Sequence, residues 1–358
     1  MHKVEFATPP VLKPSLERRV ESLLQGQATK DGWLIYTKAV IFLTVAAWSY
    51  YSLVFNSHTV SAVLFWATLL ALSVDMIGFN IQHDGNHGSF SRFSLVNRLA
   101  GMSLDIIGVS SYFWGSKHCS NHHVHTNIPQ RDPDIELGLM ARLSTEHQWR
   151  WYHQYQHIYL WGLYSLVHLR YLYSDFQRIF LGKRDDPTLD FPRGADQFRM
   201  IAGKLVFICL AFVLPIMIHP RIWYLVLIVY LGISLIVGFV FSVVFQLAHT
   251  VDLVEHPDNA DILSMPEWSV HECRTTANFA TSNPLLGFFL GGLNYQVEHH
   301  LLPKLAHTRY PKIAQTVRAV CVEHGVPYYE HRTLRQALMS HYRFLRKMGR
   351  LQSDSTET

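Results

Sequence analysis

The chain has 358 residues, 49% of them hydrophobic and 16% charged, with a net charge of +4, 22 histidines and four cysteines. Soluble domains usually carry about 25% charged residues. The composition therefore excludes a disordered chain and a disulfide-stapled secreted module, and the mild charge, without a basic stripe interleaved with aromatics, excludes a nucleic-acid partner.

Residues 1–38 are polar, with charges throughout and no apolar core, so they are not a secretory signal peptide. Four apolar runs follow, at about 39–55, 60–81, 200–218 and 222–248. Crossing a bilayer takes about 20 residues. The second and fourth runs are long enough. The first is short, and the third holds Lys204 and Pro215. Only His219, Pro220 and Arg221 separate the last two, which reads as a tight hairpin. Lys and Arg number six in residues 1–38, twelve in 82–199 and eleven in 250–358, against none in the loop 56–59. By the positive-inside rule both termini and both large polar regions are cytoplasmic. Residues 94–115 and 158–176 are apolar but interrupted by Arg98, Asp105, His168, Arg170 and Asp175. They read as helices lying at the membrane interface, with a re-entrant hairpin as the alternative for 94–115. Residues 308–350 read as amphipathic helices, and 346–358 as a tail. The expected fold is all-α: four transmembrane helices in two hairpins under a cytoplasmic helical cap. The main domain spans 39–345. The four cysteines lack CxxC spacing and fit burial or a reducing compartment.

Histidine is the unusual component. HDGNH (83–87) follows the second run, HCSNHH (118–123) ends the first interfacial segment, QVEHH (296–300) follows GFFLGGLNY, and His249 closes the fourth run. On a helix, His83 and His87 share a face, as do His118 and His122, and Gln296 shares one with His299 and His300. At this histidine frequency roughly one HxxxH pair arises by chance, and three occur. The joint placement is the informative part, because every cluster lies at a membrane boundary on one side. Ionisable groups there are functional by default. Eight imidazoles exceed the needs of one ion and suit a pair of metals. Imidazole fits Zn, Cu, Fe and Ni alike, and the absence of any ExxH excludes a carboxylate-bridged di-iron bundle. Asp84, Asn86, Asn278 and Glu298 are candidates for orienting the ligands. His153 and His157 fall within chance and read as interfacial packing, with His125 similarly weak. His147, His168, His219 and His307 read as solvated or hydrogen-bonded.

The order HxxxH, HxxxHH, QxxHH, together with GVSSYFWGSKHCSNHHVHTN, YLWGLY, RTTANFATSNP and GGLNYQVEHHLLP, resembles the integral-membrane fatty acid desaturase family over roughly residues 35–345. Within it the chain looks most like cyanobacterial-type, front-end-like Δ6 acyl-lipid desaturases. The resemblance implies a polytopic protein of a bacterial inner membrane that dehydrogenates a fatty acyl lipid or acyl-CoA. It implies two iron ions held by His83, His87, His118, His122, His123, His249, His299 and His300, and O2 as co-substrate. Gln296 stands where many relatives have His, which leaves its role as a ligand open. Phe245 stands where some relatives have Asn, four residues before His249. No HPGG haem motif accompanies the chain, so a separate electron donor is implied: ferredoxin, cytochrome b5 or a reductase. Tyr112, Phe113, Trp114 and Trp161 are candidates for an acyl tunnel or for interfacial anchoring. A hydroxylase or ketolase of the same superfamily is the alternative enzyme, and a bis-His haem carrier the distant one.

Overall fold

In a computed structural model that describes residues 11–27, 29–30, 32–182, 191–257 and 267–350, the apolar runs become the longest helices. The chain forms α1 (Leu12–Leu23), α2 (Trp33–Phe55) and α3 (Val60–His87). Three short helices follow: α4 (Ser94–Gly101), α5 (Ser103–Ile106) and α6 (Ser111–Gly115). Next come α7 (Gln156–Tyr164), α8 (Val167–Leu181), α9 (Ala195–Ile218) and α10 (Trp223–His249). The remainder comprises α11 (Trp268–Thr275), α12 (Pro284–Phe289), α13 (Gln296–Leu301), α14 (Tyr310–Glu323) and α15 (Leu334–Met348). Among the described residues, α2, α3, α9 and α10 (the last with Pro220–Ile222 before it) are long and apolar enough to cross a membrane.

Helices α2, α3 and α9 outlast their apolar runs. Helix α2 starts at Trp33 rather than 39 because Lys38 is buried, its Nζ 2.8 Å from His307 Nε2 and over the Phe288 ring. Helix α3 continues past 81 through a wide turn with i→i+5 hydrogen bonding, Gly78–Gln82, and delivers HDGNH on its last turn. Such wide turns concentrate at functional sites. A second wide turn, Cys209–Val213, lets α9 run through Pro215, which has no N–H to give. Tyr50 donates to the Leu210 carbonyl nearby, at 2.6 Å.

Two glycines permit close approaches. A Cβ at position 85 would lie 2.4 Å from the Gly101 nitrogen, so α4 packs on the first histidine box itself. A Cβ at position 238 would lie 2.3 Å from the Ser165 carbonyl, where the break between α7 and α8 meets α10. Residues 94–115 thus form three short helices. Asp105 accepts from Ser111 N–H, and Asp175 accepts from Ser110 N–H while pairing with Lys204 at 2.7 Å.

The all-α expectation needs one correction. Strands β1 (Ala277–Phe279) and β2 (Tyr329–His331) form a parallel pair, with Asn278 opposite Glu330. The three-residue strands are joined across some fifty residues of sequence, so no local pattern announces them. They tie the segment before the third histidine box to the segment before α15. Helix α1 packs Leu12, Leu16 and Val20 into a core with Val297, Ile313 and Val317. Its first N–H groups have no local cap. The Glu267 carboxylate accepts from those of Val11, Leu12 and Lys13 instead.

Candidate metal centre

The histidines meet where α3, α6, α10 and α13 converge. The second box departs from the helical spacing read in the sequence. It lies on a wide turn, Ser116–His122, that runs on from α6 into His123–His125. This turn brings His118 and His123, five residues apart, to 3.2 Å between Nε2 atoms. His118 and His122 still stack, with ring centroids 5.4 Å apart, and together with Asp134 they form a further convergence, while each also joins a different group of histidines.

In the first group, ring nitrogens of His83, His87, His118 and His299 lie within 4.8 Å of one another. His118 Nε2 is 3.2 Å from His83 Nε2, and His299 Nε2 is 2.9 Å from His123 Nε2. In the second group the same convergence joins His122, His249 and His300. His123 with His299 and His300 bridges the two. All are buried except His87, which is half-buried.

The second group tests whether a metal fits. His122 Nδ1–H faces the Asp132 carboxylate at 3.1 Å, His249 Nδ1–H the Thr275 carbonyl at 3.3 Å, and His300 Nδ1–H the Glu272 carboxylate at 2.6 Å. With each Nδ1 so engaged, the Nε2 of all three is buried without a partner. Three unpartnered ring nitrogens converging on one point leave a costly desolvated site unless a cation completes it. Such imidazoles, each backed by an acceptor, are the usual dress of a metal-binding histidine. In the first group His299 Nδ1 is 3.1 Å from the Tyr310 hydroxyl, whereas His83 Nδ1 is buried without a hydrogen-bond partner, 3.8 Å from Asp84.

Charge agrees with this donor set. Burial, reinforced by neighbouring imidazoles, holds His118, His123, His299 and His300 well below the ordinary histidine value. They are neutral donors at neutral pH, as ligands must be. Burial works the same way on His122, but Asp132 and Asp134 outweigh it and hold the group up at about 9. The metal-free chain thus has a proton to release there.

The expected orienting residues divide. Asp84 lies beside His83 but makes its short contact, 2.8 Å, with His307 Nδ1, continuing the chain from Lys38. His307 is therefore buried in a network. Glu298 points away from the imidazoles. It accepts from Asn278 Nδ2 and Tyr328 O–H, both at 2.8 Å, while Asn278 Oδ1 accepts from Val297 N–H. Burial raises Glu298 to about 7 against those hydrogen bonds. Asn278 and Glu298 thus fix helix α13. Asn86 sits against Gly101 and Gly115. Gln296 is buried at the start of α13, its amide nitrogen unpartnered.

Of the candidate tunnel aromatics, Trp114 stacks on His118 at 4.5 Å. Phe245 presents its ring to His118 at 5.7 Å and His83 at 6.4 Å, backed by Phe241 and Phe79. Tyr112 and Phe113 lie ring to ring, whereas Trp161 packs on Tyr164 and His341. His153 is buried, accepting from Arg150 N–H at Nδ1 and lying 2.9 Å from the Leu139 carbonyl at Nε2. Sequence reading missed Asp132, Thr275, Glu272 and Tyr310, which stand at no helical spacing from any box.

Residues 59–332 match the sequence profile of the family described as fatty acid desaturase. The chain is 35% identical over 355 residues to an sn-1 linoleoyl-lipid 6-desaturase of Arthrospira platensis, covering 97% of this chain and 95% of that one. It is 31% identical over 358 residues to the protein of the same name from a Synechocystis species, covering 97% and 98%. An acyl-lipid (8-3)-desaturase of Physcomitrium patens is 35% identical over 306 residues, 84% of this chain and 63% of its own.

Proposed function

The chain belongs to the fatty acid desaturase family and is an integral-membrane oxidoreductase that desaturates fatty acyl chains, and from that premise we propose that it inserts a cis double bond into a glycerolipid-bound acyl chain, Δ6-like in position, at a histidine-held di-iron centre. The observation that carries the metal assignment is the convergence of His122, His249 and His300, their Nε2 atoms buried and unpartnered. His83, His87, His118 and His299 would hold one iron and His122, His249 and His300 the other, with His123 adjoining both groups. Gln296 offers a neutral amide from the same helix as His299 and His300. The names of the two cyanobacterial relatives support the lipid carrier and the position.

An unactivated methylene has no acidic proton, so no side chain here can break its C–H bond by acid–base chemistry. When bound, the iron pair supplies O2 activation, two hydrogens leaving the acyl chain as O2 takes them up with two electrons and two protons and departs as two waters. The chain's own residues do the rest. Asp132, Glu272 and the Thr275 carbonyl fix the imidazole tautomers. Trp114 and Phe245 set apolar rings against His118. The electrons come from a separate donor, a ferredoxin, cytochrome b5 or reductase.

The spans form two hairpins, α2 with α3 and α9 with α10. Each dips from the cytoplasmic face of a bacterial inner membrane, so the termini and the metal centre lie on the cytoplasmic side. Helices α4 to α8 lie along that interface. The test is expression in a host that makes no polyunsaturated lipids, with gas chromatography and double-bond localisation. A new Δ6 bond on lipid-bound chains is expected. Hydroxylated lipid without a new double bond would overturn the reading in favour of a hydroxylase.

A further inference from the structure

The acceptors that brace His122, His249 and His300 come from three separate segments, yet two adjacent residues touch all of them. Asn127 N–H donates to Asp132 Oδ2 at 2.8 Å, the carboxylate that faces His122. Its side-chain amide donates to the His249 carbonyl at 2.7 Å and to the Thr275 carbonyl at 3.3 Å, the latter being the acceptor for His249 Nδ1. Thr126 Oγ1 lies 2.8 Å from the His122 carbonyl and 3.0 Å from Glu272 Oε2, the oxygen that accepts from His300. Both residues are fully buried.

Asn127 also has φ of +60°, in the left-handed region that asparagine tolerates better than most residues. That turn swings the chain off the second histidine box and points the amide at the end of α10 and the end of α11. Any other L side chain with this reach would carry either backbone strain or the wrong hydrogen-bonding group.

We propose that Thr126 and Asn127 act together as the positioning clasp of the second metal group, setting the orientation of all three of its imidazoles without touching the metal. The clasp makes no comparable contact with His83, His87 or His299. Its loss therefore weakens one metal position and spares the other, a pattern that general destabilisation does not produce. The inference rests on the reading of His122, His249 and His300 as ligands.

The experiment compares full-length, detergent-purified wild type with Asn127→Gly, Thr126→Val and, as a control, Asn283→Ala. Glycine keeps the left-handed backbone and the N–H to Asp132 and deletes only the amide. Valine keeps the shape of Thr126 and deletes the hydroxyl. Asn283→Ala removes the side chain that caps α12 through Leu286 N–H and touches no histidine. Iron per chain and the iron Mössbauer spectrum are followed during a chelator challenge. The wild type and the control hold two irons. Both clasp variants hold one iron at least about tenfold more weakly against the chelator, the affinity loss typical of partners behind metal ligands, and keep the spectrum of the other. Clasp variants that hold both irons as tightly as the wild type, or lose both at one rate, would overturn the clasp alone. A wild type with fewer than two irons would overturn the ligand reading and the clasp with it.

Discussion

Glu272→Gln separates support of the metal from support of the fold. Glu272 is fully buried, and its Oε2 accepts from His300 Nδ1 at 2.6 Å, a length typical of a charge-assisted bond. Glutamine keeps the shape and can still present an oxygen to Nδ1–H, so the change is mainly the loss of charge. Hydrogen bonds to charged groups contribute about 1.5–3 kcal/mol and neutral ones about 0.5–1.5 kcal/mol. The difference, about 1–1.5 kcal/mol, corresponds to about tenfold in metal affinity. Burial alone already pushes the Glu272 carboxyl well above the usual range, so removing its ionisation relieves the metal-free fold. Iron titration of the stripped variant should show one of two affinities weakened about tenfold, with the Tm of the metal-free protein unchanged or raised. Wild-type iron affinity, or a metal-free Tm lowered by several degrees, would refute the reasoning.

Other expected outcomes follow from single contacts. His122→Ala or His299→Ala should abolish double-bond formation while the protein still inserts into membranes, checked by lipid analysis and membrane fractionation; retained desaturation would contradict the ligand assignment. His153→Ala should keep full iron content yet lower stability by about 1–3 kcal/mol, because it strips two hydrogen bonds from a buried position; a thermal melt and metal analysis read both. Gly85→Ala should prevent folding of the first box, since its Cβ would sit 2.8 Å from the Ala100 carbonyl carbon; normal yield with two irons would show that α4 gives way. Thr333→Ala removes a reciprocal cap at the start of α15 and should cost about 1 kcal/mol in stability without changing product.

The sequence carried the spans and the boxes because both are periodic or continuous signals. Hydropathy located α2, α3, α9 and α10 to within a few residues, and it missed their ends where buried Lys38 or the polar HDGNH turn extends a helix that composition would stop. The imidazoles were legible as clusters, but their partition into two groups was not. That partition depends on the wide turn at Ser116–His122, which α-helical spacing does not encode. Asp132, Glu272 and Tyr310 were invisible because each is a lone residue brought to its histidine by tertiary packing. Asp84 and Glu298 looked more promising by proximity in sequence, yet they bond to His307 and to Asn278 with Tyr328. Phe245 was noticed only as a departure, and the structure gives it a position against the His83 and His118 rings.

Iron X-ray absorption on the purified, catalytically active protein tests the central claim most directly. Two irons per chain, a nitrogen-rich coordination shell and strong outer-shell scattering from several imidazole rings on each iron are expected. Active protein that holds zinc or a single iron, or iron in an oxygen-dominated shell without imidazole scattering, would contradict it.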